Sequence, residues 1–173
     1  VVGCAVGGTI AWLTATTEPV VNTFTYGKIK IDLAETTGNA YKIIPGVNIS
    51  KDPKVTVKAD SEACWLFVKV AEEGTFVAKK VTYSIANGWT ALDATNHPGV
   101  YYREVDAVTA DTDFYVLAGD TTYPNGVVTV SENLTKAEVN RVATQQPTLT
   151  FTAYAVQKDG INTAAEAWAQ VSN

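Results

Sequence analysis

Short runs in which apolar and polar residues alternate recur through most of this chain, and a period of two is what a half-buried β-strand presents. In Lys28–Leu33, the apolar residues Ile29, Ile31 and Leu33 alternate with charged ones, and Lys54–Ala59 repeats the pattern. About ten such runs lie between turn signals, at the spacing typical of a sandwich. The sequence therefore predicts an all-β fold.

The segment Glu62–Val70 departs from this alternation because it is apolar at nearly every position. A strand that is apolar on both sides is typical of the middle of a sheet that is covered on both faces. On one of these sides, Cys64 falls in line with Leu66, Val68 and Val70. We therefore expect this segment to be a central strand.

Two capping boxes predict one or two short helices. Thr135 is followed three residues later by Glu138, which predicts a helix over Thr135–Ala143. Thr163 and Glu166 form a weaker capping box that predicts a second short helix. Both helices follow predicted strands and are too short to change the fold class.

The stretch Val1–Thr14 also alternates, with one bulky side and one nearly flat side. The neighbouring glycines Gly7 and Gly8 disfavour a helix, so we expect an extended strand. We expect its apolar side to be buried in its own domain, in a neighbouring molecule or in a membrane. We divide the chain into this strand, residues 1–14, and a single domain, residues 15–173. The bulky side carries Val2, Cys4, Val6, Ile10 and Trp12.

Charge and hydropathy exclude several function classes. The 173 residues carry a formal net charge of −5 and no basic stripe, which argues against nucleic acid as a partner. No apolar run of about 20 residues is present, so we expect no membrane span. Residues 1–13 resemble the late part of a signal peptide, and the sequence does not begin with Met. We therefore expect a processed precursor and favour export.

Catalytic and metal-binding motifs are absent from the sequence. His97 is the single histidine, and neither an HExxH nor a GxSxG motif occurs, so we expect no enzyme, no cofactor and no metal centre. Asp106, Asp111 and Asp113 form a small acidic cluster that would suit calcium, but it lacks EF-hand spacing. Solvated loop carboxylates are the favoured interpretation of this cluster.

The two cysteines and the aromatic residues each leave two interpretations open. Cys4 and Cys64 would form a disulfide, within one chain or between chains, if both lie inward in an exported protein. Otherwise they are two buried thiols that act as small hydrophobic residues.

Four aromatic residues also leave two interpretations open. They would form a carbohydrate platform if exposed together, or would be core and cross-strand partners: Trp89, Tyr101, Tyr102 and Tyr123.

Several spaced blocks resemble the TasA/camelysin family of exported proteins. The first block, Gly7–Thr36, contains a Gly-Gly-Thr segment followed by a V-x-N-x-F-x-x-G pattern and alternating aliphatic residues. Tyr41–Val70 is similar to the block that follows in the family, and Thr148–Trp168 is similar to its carboxy-terminal block. The residues that match the first pattern are Val20, Asn22, Phe24, Gly27, Ile29, Ile31 and Leu33.

The resemblance implies a jelly-roll β-sandwich that is secreted to the cell surface of a Gram-positive bacterium. It also implies a homopolymer, a pilus or biofilm-matrix fibre, in which the amino-terminal strand of one subunit completes the sheet of the next. Other matrix components are further candidate partners. We expect Val2, Cys4, Val6, Ile10 and Trp12 to act as the donor residues. The candidate acceptor residues are Leu66, Val68, Val70, Phe151 and Ala153.

Two alternatives to a fibre subunit follow from the sequence. In the first, the chain is a monomeric secreted adhesion or carbohydrate-binding module whose first strand folds back into its own sheet. In the second, the chain is a secreted protease, since the family carries a historical metalloprotease label. Because no motif for that activity occurs here, the protease ranks far below the other two readings.

Overall fold

A computed structural model describes residues 4–12, 28–37, 41–74, 76 and 80–171, with residues 4–12 described as backbone. The strands are β1 (Cys4–Trp12), β2 (Ile31–Ala34), β3 (Ile49–Ser50), β4 (Lys54–Val57), β5 (Cys64–Glu73), β6 (Val81–Thr82), β7 (Thr90–Asp93), β8 (His97–Val105), β9 (Thr112–Tyr115), β10 (Val127–Val130) and β11 (Thr148–Gln157). The helices are α1 (Lys136–Thr144) and α2 (Ala164–Val171). The all-β prediction is confirmed. Val20, Asn22, Phe24 and Gly27, which match the family pattern, lie outside the described residues.

The strands form three antiparallel sheets. The largest has five strands in the order β1-β11-β5-β8-β7, and two smaller sheets have the orders β3-β10-β6 and β2-β4-β9. The middle strand of the large sheet is β5, in which Cys64 to Val68 are all buried. The prediction of a central strand covered on both faces is therefore confirmed.

One face of the large sheet, which we call the core face, packs against both small sheets. Leu66 and Phe151 from the large sheet share one buried cluster with Val55 of β4 and Val128 of β10. These four side chains have exposed fractions of 0%. The main core therefore lies between the large sheet and the two small ones, which is how antiparallel layers bury their apolar faces.

The opposite face, which we call the outer face, is covered by α2. Trp65 and Phe67 of β5 form a second buried cluster with Ala167 and Trp168 of the helix. The indole Nε1 of Trp65 donates to the carbonyl oxygen of Ile161 at 3.1 Å, just before the helix begins. This cluster explains why β5 is apolar on both sides.

Both predicted helices form, and both begin at the expected capping boxes. Thr135 is the N-cap of α1: its hydroxyl accepts from the backbone N–H of Glu138, whose carboxylate accepts from the N–H of Thr135. The same reciprocal pair joins Thr163 and Glu166 at the start of α2. Each pair satisfies backbone donors that a helix start otherwise leaves unpaired.

Candidate assembly interface

The first strand lies at one edge of the large sheet. β1 pairs antiparallel with β11 over nine residues, from Cys4 opposite Val156 to Trp12 opposite Thr148. β11 in turn pairs with β5 over its whole length. In this structure the strand that the sequence predicts at residues 1–14 therefore completes the sheet of its own chain.

The pairing register assigns each position of β1 to a face, because residues directly opposite each other in adjacent strands share a face. Ala5 lies opposite Ala155, and Gly7 lies opposite Ala153. Both partners have exposed fractions of 0–1% and belong to the main core. By the same register, Thr9 and Ala11 lie opposite Phe151 and Leu149, so all four small positions are on the core face.

The bulky positions of β1 share the outer face instead. Cys4 lies opposite Val156, and Val6 lies opposite Tyr154. Tyr154 is next to α2, since its ring centroid is 5.3 Å from that of Trp168. Ile10 and Trp12 follow on the same face, opposite Thr150 and Thr148, while Val2 lies outside the described residues.

Within one chain, the expected donor and acceptor residues lie on different faces of the large sheet. The acceptor candidates are all buried on the core face: Leu66, Val68, Val70, Phe151 and Ala153. The register places Cys4, Val6, Ile10 and Trp12 on the other face, so it does not bring the two sets together. The sequence predicted the two-sided character of the strand, and the entry of its bulky side into a groove of another chain stays a prediction.

The closeness of β2 gives a physical reason for this orientation. β2 belongs to a different sheet, yet Cα atoms of β1 and of β11 come within 8 Å of Cα atoms of β2. Face-to-face sheets ordinarily lie about 10 Å apart. An approach this close leaves little volume between the backbones, so the small positions of β1 are the ones that suit the side facing β2.

A buried ion pair lies against β11 on the core face. The ammonium of Lys51 is 2.7 and 2.9 Å from the two carboxylate oxygens of Glu35, and the side chains are 0% and 6% exposed. The Nζ atom is 5.7 Å from the ring centroid of Phe151. Burial raises the pKa of Glu35 and lowers that of Lys51, while their mutual attraction opposes both shifts. The pair therefore depends on its partners to remain charged.

The neighbouring Asp52 fixes the segment that carries Glu35. Its carboxylate accepts from the backbone N–H groups of Thr36 and Thr37, each at 3.0 Å, and from both threonine hydroxyls. Burial alone would raise the pKa of Asp52, but these hydrogen bonds outweigh it and lower the pKa. Asp52 therefore fastens the chain after β2 beside the chain before β4.

The thiol of Cys64 is buried and free. Burial raises its pKa to about 12, so the thiolate that would react is scarce at neutral pH. Cys4 and Trp65 both pair with Val156, so the whole of β11 separates Cys4 from β5. Two strand spacings amount to about 10 Å, beyond the Cα separation of about 7 Å that a disulfide tolerates. No intrachain bridge forms in this structure, and a bridge between chains remains a prediction.

The other polar candidates lie apart from one another. His97 is exposed at the start of β8, with its ring centroid 6.2 Å from that of Trp168. Asp111 pairs with Lys58, and Asp113 pairs with Lys54 at 2.7 Å. Across the described part of the chain, no group of three or more His, Cys, Asp or Glu side chains is placed to hold a metal ion.

The four aromatic residues do not share one surface. Tyr101 and Tyr102 are adjacent in β8, so they occupy opposite faces of the large sheet. Trp89 is 9% exposed, and its Nε1 donates to the carbonyl oxygen of Tyr115 at 2.8 Å. Tyr123 lies in a turn, where its N–H donates to the carboxylate of Asp120. These positions agree with the interpretation of most of these residues as core and cross-strand partners.

Two features near the β11 edge were not predicted from the sequence. One is that α2 covers the outer face there, and the other is the buried ion pair of Lys51 and Glu35. The helix was predicted, but nothing in its sequence indicated that it covers the outer face beside Tyr154. Lys51 stands in the polar run Ser50–Pro53, which resembles an exposed loop. A signal for its burial exists only in the folded chain, where Glu35 comes within hydrogen-bond distance.

Neither described helix is long and apolar enough to cross a membrane. Comparisons with family models, with curated proteins and with solved structures found no match for this chain.

Proposed function

We propose that this chain is the structural subunit of an extracellular filament, in which β1 of one copy pairs with β11 of the next. The observation that supports the proposal is the position of β1, an apolar edge strand attached to the large sheet through β11. The sequence resemblance to the TasA/camelysin family, with its secreted jelly-roll fibre subunits, points in the same direction. The filament would be a pilus or a biofilm-matrix fibre at the bacterial cell surface.

The edge of the sheet at β11 is stabilised by a paired strand. Without β1, the nine paired residues of β11 would present a row of backbone donors and acceptors toward solvent. A second copy carries the same β1 sequence, so it can supply the same main-chain hydrogen bonds and fill the same positions. Strand exchange of this type adds little new contact energy and is driven by protein concentration.

The segment that follows β1 is long enough for β1 to reach a neighbouring subunit. Residues 13–27 lie between β1 and the next described segment. Fifteen residues reach at most about 50 Å when extended, which is long enough to span to a neighbouring subunit. Each copy has one β1 to donate and one β11 edge to fill, so it can donate to one neighbour and accept from another. This head-to-tail contact generates an open filament when the rotation between copies does not close.

The pairing within one chain favours a second candidate, a monomeric secreted adhesion or carbohydrate-binding module. In that case β1 is a permanent edge strand of its own domain. The separation of Tyr101 and Tyr102 onto opposite faces weakens the carbohydrate platform specifically. The two candidates differ in a measurable way, because only the first requires β1 to leave its own sheet.

The decisive experiment compares the intact chain with a variant that lacks residues 1–14. We expect the intact protein to form filaments at high concentration in negative-stain microscopy, and the truncated protein to form none. A synthetic peptide of residues 1–14 should bind the truncated protein, and a peptide of the same composition in scrambled order is the control. Filaments of unchanged shape from the truncated protein would refute the proposal. An intact protein that stays monomeric at every concentration, by light scattering, would favour the second candidate.

A further inference from the structure

The two faces of β1 meet very different surroundings. On the core face, Gly7 continues across the sheet to Ala153 and Val68, both 0% exposed. On the outer face, Gly8 continues to Thr152, which is half-buried, and Lys69, which is exposed. Two neighbouring glycines of β1 therefore lie in line with a buried row and with a partly exposed row of the same sheet.

We infer that the edge at β11 selects its strand by volume: it accepts a strand with small residues at alternate positions facing β2, which makes the N-terminal strand of a second copy its matching partner. The inference rests on the proposed function and names the residues that decide the fit. Ala5, Gly7, Thr9 and Ala11 are the positions that the register places on this side.

The close approach of β2 makes these positions selective. Cα atoms of β1 and β2 lie within 8 Å of each other, although the two strands belong to different sheets. β2 presents Ile31 and Leu33 to the main core, with exposed fractions of 3% and 1%. A larger residue at Gly7 would add volume on the side where the two backbones approach closely, and filled cores resist added volume.

The same volume limit fixes which face of the strand is turned inward. A shift of the pairing by one residue moves every side chain to the other face. Such a shift would bring Cys4, Val6, Ile10 and Trp12 to the side that faces β2. A strand from an unrelated protein would meet the same obstacle in either register if it carried bulky residues on both sides. Selection by volume therefore favours self-assembly over mixed pairing.

The matched pair of glycines gives a direct test in the full chain. Gly7→Val and Gly8→Val add the same side chain to adjacent positions and raise β-propensity equally. We expect Gly7→Val to reduce amide hydrogen-exchange protection in β11 by about tenfold or more, since overpacking a filled core is destabilising. Gly8→Val should change that protection by less than about threefold, because the residues in line with Gly8 are half-buried or exposed. Gly7→Ala and Gly8→Ala repeat the comparison with a smaller step if Gly7→Val fails to fold.

The outcomes separate this inference from the proposed function. Equal effects at the two positions, or a larger effect at Gly8, would overturn selection by volume, whether or not filaments form. A second outcome is a larger loss of protection in Gly7→Val than in Gly8→Val, in a protein that never forms filaments. This outcome would support selection by volume within one chain and would refute the proposed filament. The expected ranking, together with a loss of filaments in Gly7→Val alone, would support both.

Discussion

The two edges of the large sheet are built in opposite ways. At one edge, β1 extends over nine residues and pairs continuously with β11. At the other, β7 has four residues, and its pairing with β8 is irregular between Ala91 and Asp93. Short strands and irregular pairing are common ways of preventing an edge from joining another sheet. These features disfavour the addition of a further strand at β7, whereas β11 is covered by β1 over nine residues.

Each edge also has a cation on aromatic rings on the core face of the sheet. Beside β11, Lys51 lies against Phe151 and is paired with Glu35. Toward β7, the guanidinium carbon of Arg103 lies 4.1 Å from the ring centroid of Phe114 and 5.4 Å from that of Trp89. The first cation is buried with a carboxylate, and the second is held by rings. This difference predicts that the two edges respond unequally to loss of the cation.

The largest effect is expected for Lys51→Ala. Removing one member of a buried ion pair leaves the other uncompensated, which costs about 3–5 kcal/mol of the free energy of unfolding. Urea denaturation at neutral pH measures the loss. Lys54→Ala is the matched control, because its Nζ–oxygen distance to Asp113 is also 2.7 Å but that pair is partly exposed. It should cost about 0–1 kcal/mol. Equal losses in the two variants would contradict the argument from burial.

The same variant has a predictable pH dependence. Burial already raises the pKa of Glu35 in the folded protein, and without Lys51 nothing offsets that burial. A group with a raised pKa stabilises the fold when protonated, and this contribution is lost as the pH rises through the folded pKa. Lys51→Ala should therefore recover stability, relative to its own value at neutral pH, when the solution is acidified toward about pH 5. A deficit that stays constant over this range would contradict the assignment to Glu35.

The features that the sequence predicted are those encoded over a few neighbouring residues. The alternation in Lys28–Leu33, the two-sided apolar segment at β5 and the capping box at Thr135 each depend on local spacing. All three appear in the structure. The orientation of β1 depends on β2, which lies in another sheet. The burial of Lys51 depends on Glu35, sixteen positions earlier in the sequence. Such long-range causes have no local signature.

A smaller effect is expected at the second cation. Arg103→Ala removes a guanidinium that packs on Phe114 and Trp89, and cation–π contacts of this kind contribute about 1–2 kcal/mol. Arg103→Lys should lose less, since the ammonium keeps the charge but not the flat stacking surface. Urea denaturation of both variants measures the order. Arg141→Ala, in the exposed last turn of α1, is the control for loss of a positive charge. If Arg103→Ala lost as much free energy of unfolding as Lys51→Ala, the predicted difference between the two edges would be wrong.

The smallest effect is expected at the turn that closes the β7 edge. The carboxylate of Asp93 accepts from the side-chain amide of Asn96 at 2.6 Å and from the backbone N–H groups of Asn96 and Thr95. These hydrogen bonds lower the pKa of Asp93 from its usual 3.8. A lowered pKa stabilises the fold above the unfolded value, and the contribution is lost as the pH falls through the folded pKa. Asp93→Ala should therefore be slightly less stable than the parent chain at neutral pH and equal to it in strong acid.

The positions at which Asp93→Ala lowers hydrogen-exchange protection test whether the two edges open independently. Asp93 lies at the end of β7, so its loss should reduce hydrogen-exchange protection in the paired residues of β7 and β8 alone. Protection in β11 should be unchanged, because β5 and β8 stand between the two edges. Asp93→Asn, which keeps one acceptor oxygen, should retain part of the protection. A loss that reached β11 would mean that the sheet opens as one unit. In that case the β11 edge could not exchange its strand while the rest of the sheet stays closed, and the proposed assembly would require the whole sheet to unfold.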